Sequence, residues 1–401
     1  MTVDRPAMIQ ARVYCVLATG TRWPCRHEGE HDYHGSHNLF DRFPQLQDDP
    51  RYRDYGSQRD EQGRPAPGSH GGGLFPVLAR TPRGTLVCVL RTGASHKNTP
   101  GAQLSLTRSS DRGRTWTRYE VVVEGDGAQD ARNAAFGVLD DDRFVLAYGV
   151  HDLECGARWI SVIRSDDAGR SWSDPVRVET DADEPWLHPY GQMVATGPEG
   201  LVFNSRGAYS DEQYRQNPKL PGRESYLYFS DDAGRSIARR AHVGPISETA
   251  LLRLGGDRWL AYSRDHRGAA VVGTSEDGAQ TWSGWSRAYP DTRFRSDFSS
   301  YIAPGSMLRL PSGRLLLVHT YRDHPFGIRA VLGTEDEGFD WSRPFALTQS
   351  FWTFDSGYPS AVCFEDGTVV VVAYTMLDLD HPEWGTCAVA YSFHEDDLTR
   401  I

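Results

Sequence analysis

The chain is 401 residues long, 39% hydrophobic and 24% charged, and it carries a formal net charge of −11. This negative balance argues against non-specific nucleic-acid binding, which needs a basic surface. Because no apolar run approaches the roughly 18 residues that span a bilayer, and the N-terminus lacks the basic and apolar regions of a signal peptide, we expect a cytoplasmic protein without nucleic-acid or membrane partners.

Residues 1–19 form the first predicted unit, which contains an apolar strand at 11–19, ARVYCVLAT. The C-terminal segment 385–393, GTCAVAYSF, has a similar strand pattern. We expect these two strands to pair, so that the N-terminal strand closes the last unit of the repeat described below.

Residues 20–72 form the second unit, a polar stretch interrupted by prolines and glycines. Unstructured insertions of this length are usually functional, so we predict a lid over a binding site, with the glycine triplet 71–73 as its hinge. Its segment 27–37 contains four histidines, His27, His31, His34 and His37. They could bind a metal, but the glycines and charges between them favour a loop, and we assign no metal and no cofactor.

Residues 73–401 form the third unit and contain six turns, about 57 residues apart, each followed by an apolar strand. A turn between two apolar strands predicts a β-hairpin. The repetition of the hairpin predicts a repeat architecture. The residues at the turns are Gly84, Asp142, Gly200, Gly256, Gly313 and Gly367.

A second repeat is the octet SSDRGRTW at 109–116, with copies beginning at residues 165, 230, 275 and 334. We expect its Ser and Asp to bond the backbone of an outer turn and its Trp to pack between sheets. The two series together predict an all-β fold, a six-bladed β-propeller that the N-terminal strand closes. The octet by itself indicates architecture and not chemistry.

Polar residues recur where first strands begin and second strands end, and the hairpin topology brings these positions to one face of the ring. A single residue of this kind is typical of a solvated loop, but recurrence in all six units favours a ligand site around the channel. Several arginines on one rim favour an anionic ligand. The candidate binding residues are Arg91, Asp130, Arg132, His188, Arg264, Arg322, Arg329 and Asp355.

In these features the chain resembles the sialidase (neuraminidase) superfamily of Asp-box propellers, over nearly all of residues 72–395. The segment SETALLRLGGDRWLAYSR places Glu248 and Arg264 in the order typical of that family. Arg329 precedes an octet, and Tyr358 lies in the segment DSGYPS. The resemblance implies that Tyr358 is a nucleophile, that Glu248 is its base and that Arg264 and Arg329 bind a substrate carboxylate.

Two positions depart from the family pattern. Leu74 stands where sialidases have the arginine of a Tyr/Phe-Arg-Ile-Pro segment, and Arg91 or Arg132 could replace that arginine in space. The loop after the second strand of the first blade contains no acidic residue, and His96 is its best proton donor. We therefore expect Tyr358, Glu248 and His96 to carry the catalysis.

Three functions fit this pattern of residues. The first is an exo-glycosidase that hydrolyses a terminal anionic or uncommon sugar with a tyrosine nucleophile. The second is a propeller lyase, in which Tyr and His act as base and acid next to a uronate. The third is a non-catalytic sugar-binding propeller. An unsaturated product would indicate the lyase, and turnover that survives loss of Tyr358 would exclude a role for that residue.

Overall fold

The computed structural model describes residues 7–18, 73–93, 100–179, 186–208, 215–217, 224–265, 270–288, 302–322, 324–334, 341–342, 344–352, 355–376, 378–381, 384 and 386–398. The predicted lid, its histidines and His96 lie outside these residues. None of the helical segments in the described part of the chain has the length and apolar character that crossing a membrane requires.

Within the described residues, the strands fall into six antiparallel four-stranded units, as the repeats predict. A short parallel pairing of Gly191 and Gln192 with Ala135 and Phe136 joins the second and third units into one eight-stranded sheet. The first three are blade 1, of β3 (Leu74–Arg80), β4 (Leu86–Thr92), β5 (Gln103–Ser109) and β6 (Glu120–Val123); blade 2, of β7 (Gln129–Val138), β8 (Phe144–Asp152), β9 (Arg158–Ser165) and β10 (Val176–Val178); and blade 3, of β11 (Trp186–Ala195), β12 (Leu201–Ala208), β13 (Glu224–Ser230) and β14 (Arg239–Gly244).

The other three complete the ring. They are blade 4, of β15 (Ile246–Gly255), β16 (Arg258–Asp265), β17 (Ala270–Ser275) and β18 (Ser283–Arg287); blade 5, of β19 (Ile302–Arg309), β20 (Leu315–Tyr321), β21 (Phe326–Gly333) and β22 (Phe345–Phe351); and blade 6, of β23 (Ser356–Cys363), β24 (Thr368–Thr375), β25 (Cys387–His394) and β2 (Arg12–Ala18). A 3-10 helix, Glu395–Leu398, follows β25. The fold is the predicted all-β propeller.

The second strand of each blade contains an apolar run because both faces of the sheet are covered there by neighbouring blades. In β24 the run Val369–Tyr374 is fully buried. Alternate residues of that run belong to two different clusters, Val369 and Val371 with blade 5, and Val370 and Val372 with blade 1. Burial of a valine side chain contributes about 1.5–3 kcal/mol, so these strands supply much of the stability of the ring.

The four octets that lie within the described residues form the turns between third and fourth strands, with the predicted bonds. In the second copy, Ser165 Oγ donates to Asp167, whose carboxylate accepts from the backbone N–H and the hydroxyl of Ser171 at 2.8 and 2.6 Å. These bonds lower the pKa of Asp167 to about 2. Trp172 donates to Gly169 O at 3.2 Å and packs on the core between blades 1 and 2. The octet therefore closes a turn and fills an inter-blade gap.

The N-terminal segment covers the outer edges of two blades. β2 pairs antiparallel with β25 of blade 6, and β1 (Ala7–Met8) pairs parallel with β22 of blade 5. Ile9, just after β1, is 3% exposed in the blade 5 core. An uncovered strand edge is prone to pair with other chains, so this segment protects two edges at once.

Val16→Asp is expected to destabilise the protein by at least about 3 kcal/mol, because Val16 is buried between blades 6 and 1 and a carboxylate there has no counter-charge. Thermal melting and the soluble fraction after expression provide the measurement. Val13→Asp on the same strand is the matched control, because Val13 is 36% exposed and tolerates a charge. Equal melting temperatures of the two variants would contradict a closing role for β2.

Candidate functional site

A β-bulge near the start of the first strand re-aims side chains toward the axis in several blades. In blade 4 the pairing of β15 with β16 is interrupted between Ser247 and Ala250, and in blade 6 β23 is interrupted between Gly357 and Ser360. Glu248 and Tyr358 are the first residues inside these two bulges, with φ of 58° and 50°. Positive φ is uncommon for residues with a side chain, and such strain concentrates at functional sites.

The two bulges bring Tyr358 and Glu248 together, although 110 residues separate them in the chain. Tyr358 Oη donates to Glu248 Oε1 at 2.5 Å, and both residues are buried. Arg264 Nη2 contacts the other carboxylate oxygen, Oε2, at 2.6 Å, and Arg206 Nε lies 3.6 Å from Oε1. The proximity expected from blade topology is therefore present, and two arginines flank the carboxylate.

The phenol of Tyr358 is neutral in this setting. Burial and then the charge of Glu248 raise the pKa of Tyr358 above its ordinary value, while Arg206, Arg264 and Arg322 act in the opposite direction. A neutral phenol is a weak nucleophile and needs a base within hydrogen-bond reach. Glu248 occupies that position.

Further groups of blades 5 and 6 surround the Tyr358 ring. Arg322, after β20, lies with its guanidinium carbon 5.7 Å from the ring centroid and donates to Ser356 O at 3.3 Å. Asp355 is 1% exposed and accepts from Tyr374 Oη at 2.7 Å. A second tyrosine–carboxylate pair therefore lies directly behind the first.

Aromatic rings pack on Tyr358 from blades 1 and 3. Phe75 meets it edge to face with centroids 4.7 Å apart, and Tyr190 lies 6.0 Å away. Phe75, with φ of 51°, lies in the blade 1 bulge, beside Leu74 at the position that departs from the family pattern. This side of the site is therefore apolar.

Blade 2 supplies a cluster of buried charges beside the axis. Asp130 Oδ1 accepts from Arg91 Nη2 at 2.5 Å, and Asp130 Oδ2 lies 3.3 Å from Arg132 Nη1. Arg91 also donates to Ala131 O at 3.1 Å. The side chains of Arg91 and Asp130 are fully buried, and that of Arg132 is 9% exposed.

His188 and His151 lie in the same region and are neutral. His188 pairs with Arg206 across β11 and β12, and its pKa is well below the usual value because of burial and then the nearby arginines, Arg132 first. Burial lowers the pKa of His151 to about 4, and Arg158 adds to the effect. Both imidazoles are therefore uncharged near neutral pH, and the arginines carry the positive charge of this region.

His319, in β20, makes stability depend on pH. Burial lowers the pKa of His319 from 6.5 to about 4. The charge of Arg329 lowers it further, whereas the hydrogen bond with Thr320 O acts in the opposite direction. The unfolded chain therefore binds the proton first, so stability is complete above pH 6.5 and falls as the pH drops toward 4. This lowering corresponds to about 3 kcal/mol.

His319→Gln should reduce the pH dependence of stability. Between pH 7.5 and 4.5 the free energy of unfolding, measured with urea, should fall by about 2–3 kcal/mol less in this variant than in the wild-type protein. Parallel losses would contradict the assignment.

Arg329 lies in the middle of β21, opposite His319, and its guanidinium carbon is 3.2 Å from the centroid of the Tyr321 ring. Of the two candidate arginines in blade 5, Arg322 is the one whose described contacts reach the Tyr358 segment.

Arg206 is one of the polar residues that end second strands on this face, but it was not predicted among the candidate binding residues, and Phe75 was not singled out. The repeat spacing could have indicated both residues. Arg206 lies near the end of its second strand, as Arg264 does in blade 4, and Phe75 lies in a first-strand bulge, as Glu248 does.

Below Tyr358 a narrow cavity follows the axis, lined by first-strand residues of all the blades. Gln192 crosses it, donating to Leu78 O at 2.7 Å and Ala361 O at 2.8 Å, and accepting from Ser306 Oγ at 2.9 Å. These bonds join blade 3 to blades 1, 6 and 5.

The sequence matches the family model of the BNR repeat-like domain over residues 126–371. Among solved structures, a protein of unknown function from Dyadobacter fermentans is similar with a TM-score of 0.65 and 21% identity, over 81% of this chain and 95% of that chain. The NanB sialidase from Streptococcus pneumoniae is similar with a TM-score of 0.62 and 12% identity, over 82% and 69%. The leech intramolecular trans-sialidase, complexed with 2,7-anhydro-Neu5Ac, is similar with a TM-score of 0.63 and 12% identity, over 86% and 73%.

Proposed function

The chain belongs to the BNR repeat-like domain family, and on this premise we propose that it is a glycosidase of the sialidase type that hydrolyses a terminal acidic sugar with Tyr358 as nucleophile. One observation carries the proposal, the 2.5 Å hydrogen bond between Tyr358 Oη and Glu248 Oε1 in a buried site with arginines on several sides. Structural neighbours that are named sialidases support the substrate class.

A tyrosine suits an acidic substrate for an electrostatic reason. A carboxylate nucleophile would repel an anionic sugar, whereas a phenol is neutral until the reaction begins. Here the pKa of Tyr358 is raised, so the charge on its oxygen develops only as the proton leaves. Arg206, Arg264 and Arg322 then stabilise the phenolate, because their charges favour that form.

In the first step the Tyr358 proton passes to Glu248 as the phenolate oxygen attacks the anomeric carbon. The bond from that carbon to the leaving-group oxygen breaks, and an acid protonates the departing oxygen. Arg264 favours the carboxylate form of Glu248 before this step, because its guanidinium contacts Oε2 at 2.6 Å. His96 is the proposed acid, from the loop outside the described residues.

In the second step a water molecule attacks the anomeric carbon and displaces the Tyr358 oxygen. The water gives one proton to the residue that acted as acid, and Glu248 returns its proton to the phenolate. The enzyme is restored, and the sugar keeps its anomeric configuration because two displacements have occurred.

An activated fluorosugar that slows the second step tests the nucleophile directly. Incubation with the 2,3-difluoro analogue of an acidic sugar should add the mass of the analogue less one HF to the protein, because the anomeric fluoride and the phenol proton leave, and peptide mass spectrometry should place the adduct on Tyr358. NMR of hydrolysis in real time should show retention of configuration. An adduct on another residue, or inversion, would overturn the mechanism, and a product that absorbs in the near ultraviolet would indicate elimination instead.

A further inference from the structure

The bulges that carry the reacting pair free backbone N–H groups from the strand ladders. In blades 1, 2, 4 and 6, three steps along the first strand oppose two steps along the second. The first residues inside these bulges are Phe75, Arg132, Glu248 and Tyr358, respectively. Residues inside a bulge lose their ladder partners, and a buried N–H without a partner is costly. The groups that take over these bonds therefore indicate what holds Tyr358 and Glu248 in place.

Thr320, in the second strand of blade 5, supplies the partner for Tyr358. The Tyr358 N–H donates to Thr320 Oγ1 at 3.0 Å, and the threonine hydroxyl donates in turn to Pro304 O at 3.2 Å. Thr320 is fully buried. The second residue inside this bulge is Pro359, which has no N–H. Tyr358 is therefore the bulge residue of blade 6 whose N–H needs a partner, and Thr320 provides it.

The same threonine packs against the residue before the proposed nucleophile. Gly357 has φ of 103°, and a Cβ at this position would lie 2.1 Å from Thr320 Oγ1. A glycine is required here both by the backbone conformation and by this close approach. Two residues further along β20, Arg322 donates to Ser356 O at 3.3 Å. The end of β20 therefore contacts three consecutive residues, 356–358, and fixes the backbone that carries the phenol.

Asn204 makes the corresponding contact for Glu248, from the second strand of blade 3. The N–H of Thr249, the second residue inside the Glu248 bulge, donates to Asn204 Oδ1 at 3.2 Å. The amide nitrogen of Asn204 donates to Ser225 Oγ at 2.5 Å and to Tyr226 O at 3.2 Å, which fixes the orientation of the amide. In both blades, a second-strand side chain of the preceding blade binds the backbone of the bulge.

From these contacts we infer that Thr320 is a positioning residue for the nucleophile and that Asn204 is its counterpart for the base. The inference rests on the proposed function for the reaction concerned. Thr320 binds the Tyr358 backbone and acts on the reaction through the direction of the phenol. Loss of its hydroxyl leaves the Tyr358 N–H without this acceptor, so the strained bulge relaxes and the phenol oxygen moves away from Glu248 Oε1.

Two substitutions of Thr320 test this role in the reaction. Thr320→Val keeps the volume and removes the hydroxyl, and it should lower kcat about 30- to 100-fold with KM within about threefold of wild type. Thr320→Ser keeps the hydroxyl and should restore kcat to within about fivefold of wild type. In Tyr358→Phe protein, Thr320→Val should lower the residual kcat less than about threefold, because the residue acts through the Tyr358 oxygen. Thr320→Ala is a second variant that adds no methyl group at the site of the hydroxyl.

Asn204→Leu gives a separate arm for the base. It should lower kcat about 10-fold in the wild-type protein and less than about threefold in Glu248→Gln protein, because Asn204 acts through Glu248. Equal losses in the two proteins would contradict the role of Asn204.

Thr107→Val is the matched control for Thr320→Val. Thr107 is buried in the third strand of blade 1, and its hydroxyl donates to Thr117 O at 2.7 Å, next to an octet turn. This variant also loses a buried hydroxyl and should lower the melting temperature, while kcat stays within about twofold of wild type. A loss of kcat confined to Thr320→Val therefore separates positioning from stability.

A readout that needs no turnover follows the phenol itself. In protein labelled with 13C at Cζ of tyrosine, the Tyr358 resonance is assigned with Tyr358→Phe and reports the hydrogen bond to Glu248. It should shift in Thr320→Val and stay in place in Thr320→Ser and Thr107→Val. An unchanged resonance in both Thr320→Val and Thr320→Ala, or equal losses of kcat in Thr320→Val and Thr320→Ser, would overturn the inference. If no glycoside is hydrolysed, the proposed function fails, while the resonance still decides the role of Thr320.

Discussion

Tyr358→Phe is expected to lower kcat by at least about 1,000-fold on an acidic-sugar glycoside while changing the affinity for the sugar less than about threefold. The variant removes only the oxygen that donates to Glu248 at 2.5 Å, and the ring keeps its contacts with Phe75 and Tyr190. Steady-state kinetics and calorimetric titration with the free sugar acid provide the two measurements.

Tyr190→Phe is the matched control for this result. Tyr190 is buried in the same aromatic cluster, but its hydroxyl donates to Gly305 O at 3.0 Å and not to a carboxylate. We expect this variant to lose about 1 kcal/mol of stability with kcat within a few-fold of wild type. If Tyr358→Phe and Tyr190→Phe lower kcat to the same small extent, Tyr358 is not the nucleophile.

Glu248→Gln is expected to lower kcat by about 100- to 10,000-fold, because the amide still accepts a hydrogen bond from Tyr358 but cannot take its proton. The same change leaves Arg264 without the carboxylate that it contacts at 2.6 Å. Loss of one partner of a buried ion pair costs about 3–5 kcal/mol. We therefore expect a lower melting temperature together with the lower rate.

Glu224→Gln separates these two effects. Glu224 is a buried carboxylate bonded to His242 in blade 3, away from the axis. Its amide variant should lower the melting temperature while kcat stays unchanged. The Glu248→Gln, Tyr358→Phe double variant should be no slower than the slower single variant, because both residues act in one proton transfer. Additive losses in the double variant would show that the two residues act independently.

Much of the fold could be predicted from the sequence because its determinants are local. The spacing of Gly84, Gly256 and Gly313 with the apolar strands that follow them predicts the hairpins, and Asp167 and Trp172 carry the octet chemistry within eight residues. Pairing of β1 with β22 was not predicted, since a two-residue parallel strand has no pattern that the sequence could display.

Several residues of the candidate site could be predicted from the sequence, but most of the contacts between their side chains could not. The blade repeat placed Glu248, Tyr358 and Arg264 on one face, and the structure brings all three together. The family resemblance implies that Arg329 binds the substrate carboxylate, which stays a prediction; its described ring contact is with Tyr321. Which arginine reaches the axis depends on side-chain direction, and a one-residue change of position along a strand reverses that direction.

The sequence by itself determined the number of blades, the position of the turns and the face on which polar side chains collect, because each of these follows from hydrogen-bonding and apolar patterns within about 60 residues of chain. Only the tertiary structure decided which carboxylate each arginine contacts and that Arg132 shares the bulge position of Glu248 and Tyr358. The bond between Tyr358 and Glu248 joins residues 110 positions apart through closure of the ring. The arginine contacts and the bulge position depend on side-chain direction and on irregularities in strand register.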